Sequence, residues 1–189
     1  MEQVDLDLLL SAASRIPNVM VTVAPESTTM TQISQLVEGG LTVSLGHTNA
    51  NFETCIAAFD AGARCVTHLF NAMSQLNNRE PGLVGAAFVR DDVHASMIAD
   101  GIHVHPAAIK TAIDAKGHNI FLISDSMSTA GSSIGGFELN GRWVDRDNGR
   151  LTLEDGTLAG ADLDLTRAIN VIRQDAGETA SMAITRATR

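Results

Sequence analysis

The chain has 189 residues, 44% of them hydrophobic and 19% charged, with only 4 Pro, a composition that argues against disorder and allows one sizeable core. Net charge is −9 with a pI near 5.0. The 13 Lys and Arg residues are scattered rather than clustered, which gives no support to a phosphate-tracking nucleic-acid surface and favours a small-molecule partner.

The N-terminus, MEQVDLDLLL, is acidic rather than signal-like, and no apolar run approaches the roughly 20 residues needed to cross a bilayer. A soluble, cytoplasmic protein without membrane or nucleic-acid partners is expected. From residue 19 the pattern alternates between short apolar runs and longer helix-period segments. VMVTVAPE opens with a strand at about 19 to 24, followed by a helix from about 28 to 39. LTVSLGH carries a strand at 41 to 45, then a helix through NFETCIAAFDAGA, for which Thr48 or Asn49 is the expected N-cap. RCVTHLF is a third strand with a long loop after it, and HASMIADGIHVH a fourth, followed by a helix opened by Pro106. NIFLISDS is the fifth. Cys55 and Cys65 fit neither a disulfide framework nor a common zinc spacing, so both are expected to be reduced and buried.

Five such units imply a parallel sheet, either doubly wound or a (β/α) barrel. The polar residues favour the barrel. Glu26, His47, His68, Asp100 with His103, and Asp125 all fall at or just beyond strand C-terminal ends, the face where barrel enzymes gather their chemistry from several strands. After Asp125 the alternation breaks. GFELNGRWVDRDNGRLTLEDGTLAG contains NG, DNG and DG between short alternating runs, the pattern of an antiparallel hairpin insert. DLDLTRAINVIRQDAG and ETASMAITRAT read as two helices. The expected organisation is a partial barrel over 1–135, a hairpin insert with a substrate loop over 136–160, and C-terminal helices over 161–189.

GHT at 46–48 and THL at 67–69 place His47 and His68 in equivalent positions on neighbouring strand units. Either imidazole alone reads as a turn hydrogen-bonder. Together they point to a divalent ion, although two ligands are fewer than the three a catalytic zinc usually takes from protein. In HVH, His103 is the site candidate, and His105, next to the helix-opening Pro106, is structural. Asp125 follows the apolar run FLI, where a buried carboxylate needs a metal, a water or hydrogen-bond donors. Arg79 in REPG can fork a carboxylate or phosphate, and Glu26 reads as a helix-entry carboxylate. AGSSIGG matches neither a GxGxxG nor a phosphate loop, and Ser126 and Ser128 lie in no GxSxG elbow.

VTVAPE, SLGHTNA, THLFNAM, REPGLVGAA, IADGIHVHP, LISDSM and GTLAG, in this order and spacing, resemble the N-acetylglucosamine-6-phosphate deacetylases of the amidohydrolase superfamily, from about residue 19 onward. The resemblance implies a metal-dependent (β/α)8 fold, of which about five units are present. It makes His47 and His68 metal ligands and Asp125 the catalytic aspartate, in an SDS where TDA is more usual. Asn71, Ala72 and Arg79 would contact the sugar phosphate, Arg79 across a homodimer. Asp100, Gly101, Ile102 and His103 would form one substrate-binding turn, and Leu158, Ala159 and Gly160 another. The implied cofactor is a divalent cation, zinc first, with iron, manganese or cobalt as alternatives. The implied reaction converts N-acetyl-D-glucosamine 6-phosphate to D-glucosamine 6-phosphate and acetate.

One departure matters. The family's glutamate ligand, in a motif resembling HLEGP, has no counterpart here, nor do the first barrel strands, an acetyl-binding histidine or the terminal strands of the small β-domain. The chain is therefore expected to be an internal piece that alone is weakly active or inactive. Another amidohydrolase acting on a different amide, and a noncatalytic half-barrel binding protein, are the alternative readings.

Overall fold

The computed structural model describes residues 1–188 and divides into two compact units, Met1–Ser96 and Met97–Arg189. In the first unit the chain runs through α1 (Gln3–Ala13), β1 (Met20–Val23), α2 (Met30–Glu38), β2 (Thr42–Leu45), α3 (Phe52–Asp60), β3 (Cys65–Val66) and α4 (Gly82–Val89). It then enters β4 (His94–Ile98), which carries it into the second unit. There follow α5 (Pro106–Lys116), β5 (Ile120–Ile123), four short strands β6 (Gly136–Leu139), β7 (Arg142–Asp147), β8 (Arg150–Leu153) and β9 (Leu158–Ala161), and the helices α6 (Leu165–Asp175) and α7 (Ala180–Ala187).

Strands β1 to β5 form a sheet in sequential order, each joined to the next through a helix, so the fold is a partial (β/α) barrel. A sequential order without reversal has no switch point, which sets it apart from the doubly wound alternative. The pairing is parallel, with Leu45 beside both Val23 and Val66. In the first unit, Ile33 and Leu36 of α2 and Phe59 of α3 are fully buried along with Val43 and Leu45 of β2. Helix α2 starts on a reciprocal cap: the Thr29 hydroxyl accepts from the Gln32 amide at 3.2 Å, and the Gln32 side chain accepts from the Thr29 amide at 3.1 Å.

Helix α4 occupies part of the stretch after β3 for which the sequence implies a long loop. GLVGAAFV is apolar throughout and six of its residues are buried, so it lacks the amphipathic period by which a helix announces itself. The long third strand is also shorter than expected. It stops at Val66 because His68, Phe70 and Ala72 take positive φ (37°, 77° and 47°). Helix α3 is capped by Asn51, whose side chain accepts from the Thr54 amide at 3.0 Å, rather than by Thr48 or Asn49. Thr48 is engaged elsewhere, as described below. Cys55 and Cys65 are free and buried as expected, and burial pushes the Cys55 thiol up to about 12.

In the second unit β6 to β9 make a four-stranded antiparallel sheet, larger than a single hairpin. Its turns are the ones their residues favour: Asn140-Gly141 and Asn148-Gly149 both hold positive φ at both positions, as a two-residue turn between right-twisted strands requires. Helix α6 packs on both α5 and α7, and all three touch β5. Arg186 of α7 is buried, donating to the Gly117 and Ile120 carbonyls at 2.7 and 3.0 Å and pairing with Glu178 at 3.1 Å.

Candidate active site

Gly46 follows β2 in a tight place: a Cβ there would stand 3.0 Å from Thr67 Cβ and 3.1 Å from Thr22 Cγ2. Thr22, Ser44 and Thr67, from three adjacent strand units, join through hydroxyl contacts of 2.8 and 2.6 Å. The sequence carries little sign of these hydroxyls beyond a Thr or Ser among β-branched neighbours. Immediately beyond them, His47 and His68 turn towards each other, Nε2 to Nε2 at 2.8 Å, with ring planes 73° apart.

Both histidines have left-handed backbones, φ 49° and 37°, a conformation that costs about 1–2 kcal/mol in a residue with a Cβ and persists where surrounding bonds hold it. For His68 those bonds come from Ser96, another residue the sequence did not flag. Its hydroxyl accepts from the His68 amide at 2.8 Å and its carbonyl from the Leu69 amide at 2.8 Å. Asn71 folds back on the same turn, its side-chain amide donating to the His68 and Leu69 carbonyls at 3.3 Å each. The Ala72 carbonyl accepts from the Thr48 amide at 3.1 Å, tying the two histidine loops together. His47, Thr48, Asn49, Ala72 and Met73 line an open concavity of about 420 Å³, within the usual range for small-molecule pockets. Arg79 is exposed on the following loop.

The donor set can be tested against a divalent ion. Two bonds of about 2.0–2.1 Å at a tetrahedral angle hold their nitrogens roughly 3.3 Å apart, so the observed pair needs to open by only about half an ångström. His47 and His68 thus fit as two ligands of a metal. Among the described residues no cluster of three or more His, Cys, Asp or Glu side chains completes such a site.

Glu26 lies in the first turn of the short 3-10 helix Pro25–Ser27, as a helix-entry carboxylate does, and its oxygens are engaged further along the chain: one accepts from the Thr48 hydroxyl and the other from the Asn49 amide at 3.0 Å. Burial is the largest single influence on its carboxyl and opposes ionisation. The hydrogen bonds from Thr48, from its own backbone and from Asn49 together outweigh it and hold the group below its ordinary value.

In the second unit Asp100 closes a turn after β4. One carboxylate oxygen accepts from the Ile102 and His103 amides at 2.8 Å each, and the other meets His103 Nδ1 at 2.6 Å. Gly101 supplies the positive φ (75°) the turn needs. The Asp100 and His103 side chains are 1% and 6% exposed, a desolvated pair. Burial pushes the Asp100 carboxyl up, but His103 and the two amides more than reverse it, so the group is held below its ordinary value. His105 caps α5, its Nδ1 accepting from the Ala107 amide at 3.2 Å.

Asp125 follows β5 with φ 48°, and its carbonyl accepts from the Ala161 amide at 2.8 Å. Contrary to the expectation of a buried carboxylate, Asp125 is exposed, so water solvates it and no desolvation penalty demands a partner. Leu158, Ala159 and Gly160 lie on β9 beside it. A Cβ on Gly160 (φ 71°) would stand 3.2 Å from the Asp125 carbonyl oxygen and 2.5 Å from Met127 Cγ. His47, His68 and Asp125 therefore share one backbone device, a left-handed residue just past a strand end, where a side chain leaves the β direction.

This partial barrel, with polar residues at its strand ends, matches the amidohydrolase-superfamily fold of the solved structures on which it superposes. The chain superposes on N-acetylglucosamine-6-phosphate deacetylase from Pasteurella multocida with a TM-score of 0.92 and 31% identity, over 97% of this chain and 48% of that one. It superposes on a Mycobacterium smegmatis enzyme of the same name, solved with N-acetyl-D-glucosamine-6-phosphate, with a TM-score of 0.84 and 34% identity, over 89% of this chain and 46% of that one. In sequence it is 42% identical over 171 residues to an N-acetylgalactosamine-6-phosphate deacetylase of Shewanella sp., covering 90% of this chain and 43% of the relative. It is 40% identical over 157 residues to the N-acetylglucosamine-6-phosphate deacetylase of Bacillus subtilis, covering 82% and 40%. No family model matches the chain. The chain is homologous to the N-acetylglucosamine- and N-acetylgalactosamine-6-phosphate deacetylases and spans less than half the length of these relatives. With 97% of the chain superposed, the likeness begins before residue 19, where the sequence motifs start.

Proposed function

We propose that this chain forms part of a metal-dependent deacetylase that hydrolyses the acetamide of N-acetyl-D-glucosamine 6-phosphate, releasing acetate and D-glucosamine 6-phosphate. The convergence of His47 and His68 Nε2 in a chain homologous to such deacetylases carries this reading. His47 and His68 would hold a divalent cation, which when bound would supply Lewis acidity to the acetyl carbonyl and make an attacking water more acidic; zinc is the first choice, with iron, manganese and cobalt also suited to the ligands. Asp125 takes a proton from the water as it adds to the carbonyl carbon. It returns that proton to the nitrogen as the C–N bond breaks, leaving a free amine and acetate.

The remaining residues bind and orient. Arg79 pairs with the 6-phosphate, and Asn71 with Ala72 holds the same end of the sugar. His103, oriented by Asp100, contacts the substrate, with Gly101 and Ile102 supplying backbone. Leu158, Ala159 and Gly160 border the aspartate. Binding energy from the phosphate, remote from the amide, positions the reacting atoms. The protein acts in the cytoplasm as a homodimer.

The Shewanella relative bears the galactosamine name, so the C4 epimer is a second candidate substrate. The test is acetate release from both N-acetylhexosamine 6-phosphates and from unphosphorylated N-acetylglucosamine. It is run with the 189-residue chain and with the chain joined to the upstream half of the Bacillus subtilis relative. The expected result is preference for the phosphorylated glucosamine compound and little turnover by the chain alone. Failure of a metal-loaded joined chain to release acetate from either phosphate overturns the reading.

A further inference from the structure

We infer that Glu26 is a positioning residue for the metal-holding histidine pair, acting through Thr48 and Asn49 and not as a ligand. The inference rests on the reading of His47 and His68 as metal ligands. Both Glu26 oxygens are already engaged, one by the Thr48 hydroxyl and one by the Asn49 amide at 3.0 Å. The carboxylate therefore holds the two residues that follow His47 against the end of β1.

Thr48 is the knot of this arrangement. Its hydroxyl donates to Glu26 and accepts from the Ala50 amide at 2.9 Å. Its amide donates to the Ala72 carbonyl at 3.1 Å, and its carbonyl accepts from the Ser74 amide at 2.9 Å. Thr48 is 3% exposed, so none of these groups exchanges readily with water. The peptide leaving His47 is thus fixed on one side to the β1 turn and on the other to the loop that carries His68. His47 sits at φ 49°, a conformation that relaxes towards ordinary values when its flanking bonds are released. Relaxation would swing the imidazole away from its partner, and ligand-orienting contacts of this kind typically govern metal affinity by 10–100-fold.

The test titrates cobalt(II) into the chain joined to the upstream half of the Bacillus subtilis relative and follows the visible absorption, which reports coordination geometry directly. Glu26→Ala is expected to weaken cobalt binding at least tenfold and to change the spectrum. Glu26→Gln keeps an acceptor for Asn49 and offers its amide to the Thr48 hydroxyl, so it is expected to stay within about threefold of the parent. Ser34→Ala, which removes a hydroxyl bond to the Ala61 carbonyl in the same unit, is the stability control and leaves affinity and spectrum unchanged.

If Glu26→Ala does not fold, Thr48→Val breaks the same contact and is expected to weaken binding to a similar degree. Parental affinity and spectrum in Glu26→Ala, or in Thr48→Val where that variant stands in, overturn the inference while leaving the metal reading intact, provided His47→Ala abolishes binding. Cobalt binding that survives His47→Ala, or no binding by the parent, overturns both.

Discussion

Nε2 of His47 stands 2.8 Å from Nε2 of His68, and the register of their strands explains why. Leu45 is directly beside Val66 in the parallel pair β2–β3, and each histidine lies two residues beyond its member of that pair. Equal offsets along parallel neighbours put the two imidazoles at the same height, about one strand spacing of 4.8 Å apart at the backbone. From left-handed backbones at both histidines the rings then meet at their Nε2 atoms.

From this geometry, removing either imidazole leaves a single nitrogen and no chelate. His47→Ala and His68→Ala are each expected to reduce zinc affinity more than about 100-fold, measured by equilibrium dialysis with metal analysis. Zinc retention by either variant at the parental level places the ion elsewhere.

Asp125→Asn keeps the size of the side chain and removes its ability to take a proton. In the chain joined to the upstream half of a relative, kcat should fall about 10²–10⁴-fold, while zinc content stays at the parental value. The check is acetate release alongside metal analysis, and undiminished kcat assigns the base to another residue.

Arg79 is expected to act on binding more than on chemistry. Arg79→Ala in the same joined chain should raise KM for the phosphorylated sugar about tenfold or more and leave the unphosphorylated sugar unaffected. Equal KM values for parent and variant remove the phosphate assignment.

The Asp100 carboxyl has a folded-state pKa below its ordinary value of 3.8. Its contribution to stability is therefore fully present above pH 3.8 and is lost as pH falls through the lower, folded value. Asp100→Asn should lower the urea midpoint at pH 7, and the difference from the parent should shrink on acidification below 3.8. In parallel, ¹⁵N spectra should show the His103 proton on Nδ1 at neutral pH in the parent. A pH-independent difference, or a proton on Nε2 alone, contradicts the ion-pair geometry.

Gly160→Ala adds a methyl group where φ is 71° and the Asp125 carbonyl is 3.2 Å away. The expected cost is about 1–2 kcal/mol, read as a lower urea midpoint. A midpoint at or above the parent's shows that β9 can shift without strain.

Much of the architecture was legible because its signals are local. The NG pairs at 140–141 and 148–149 encode their own turns, and the β-branched runs VMVTV and LTVSL encode strands whatever lies beside them. The repeated placement of histidine after β2 and β3 was visible as a pattern of spacing. What failed was equally particular. Thr48 looked like a helix cap, but its hydroxyl is taken by Glu26, 22 positions away, and Asn51 caps instead. A long-range partner outcompeted a local one. Ser96 gave no signal, since its service to His68 depends on β4 lying beside β3.

By itself, then, the sequence determined the kind of fold and the residue types available at each strand end, because hydrophobic period and turn chemistry act over a few neighbours. The tertiary structure alone decided that two imidazole nitrogens meet, that Glu26 is consumed in holding Thr48 and Asn49, and that His103 is oriented by a buried carboxylate. Those outcomes depend on strand register and on φ angles imposed by distant hydrogen bonds, and neither is set by the residues that display them.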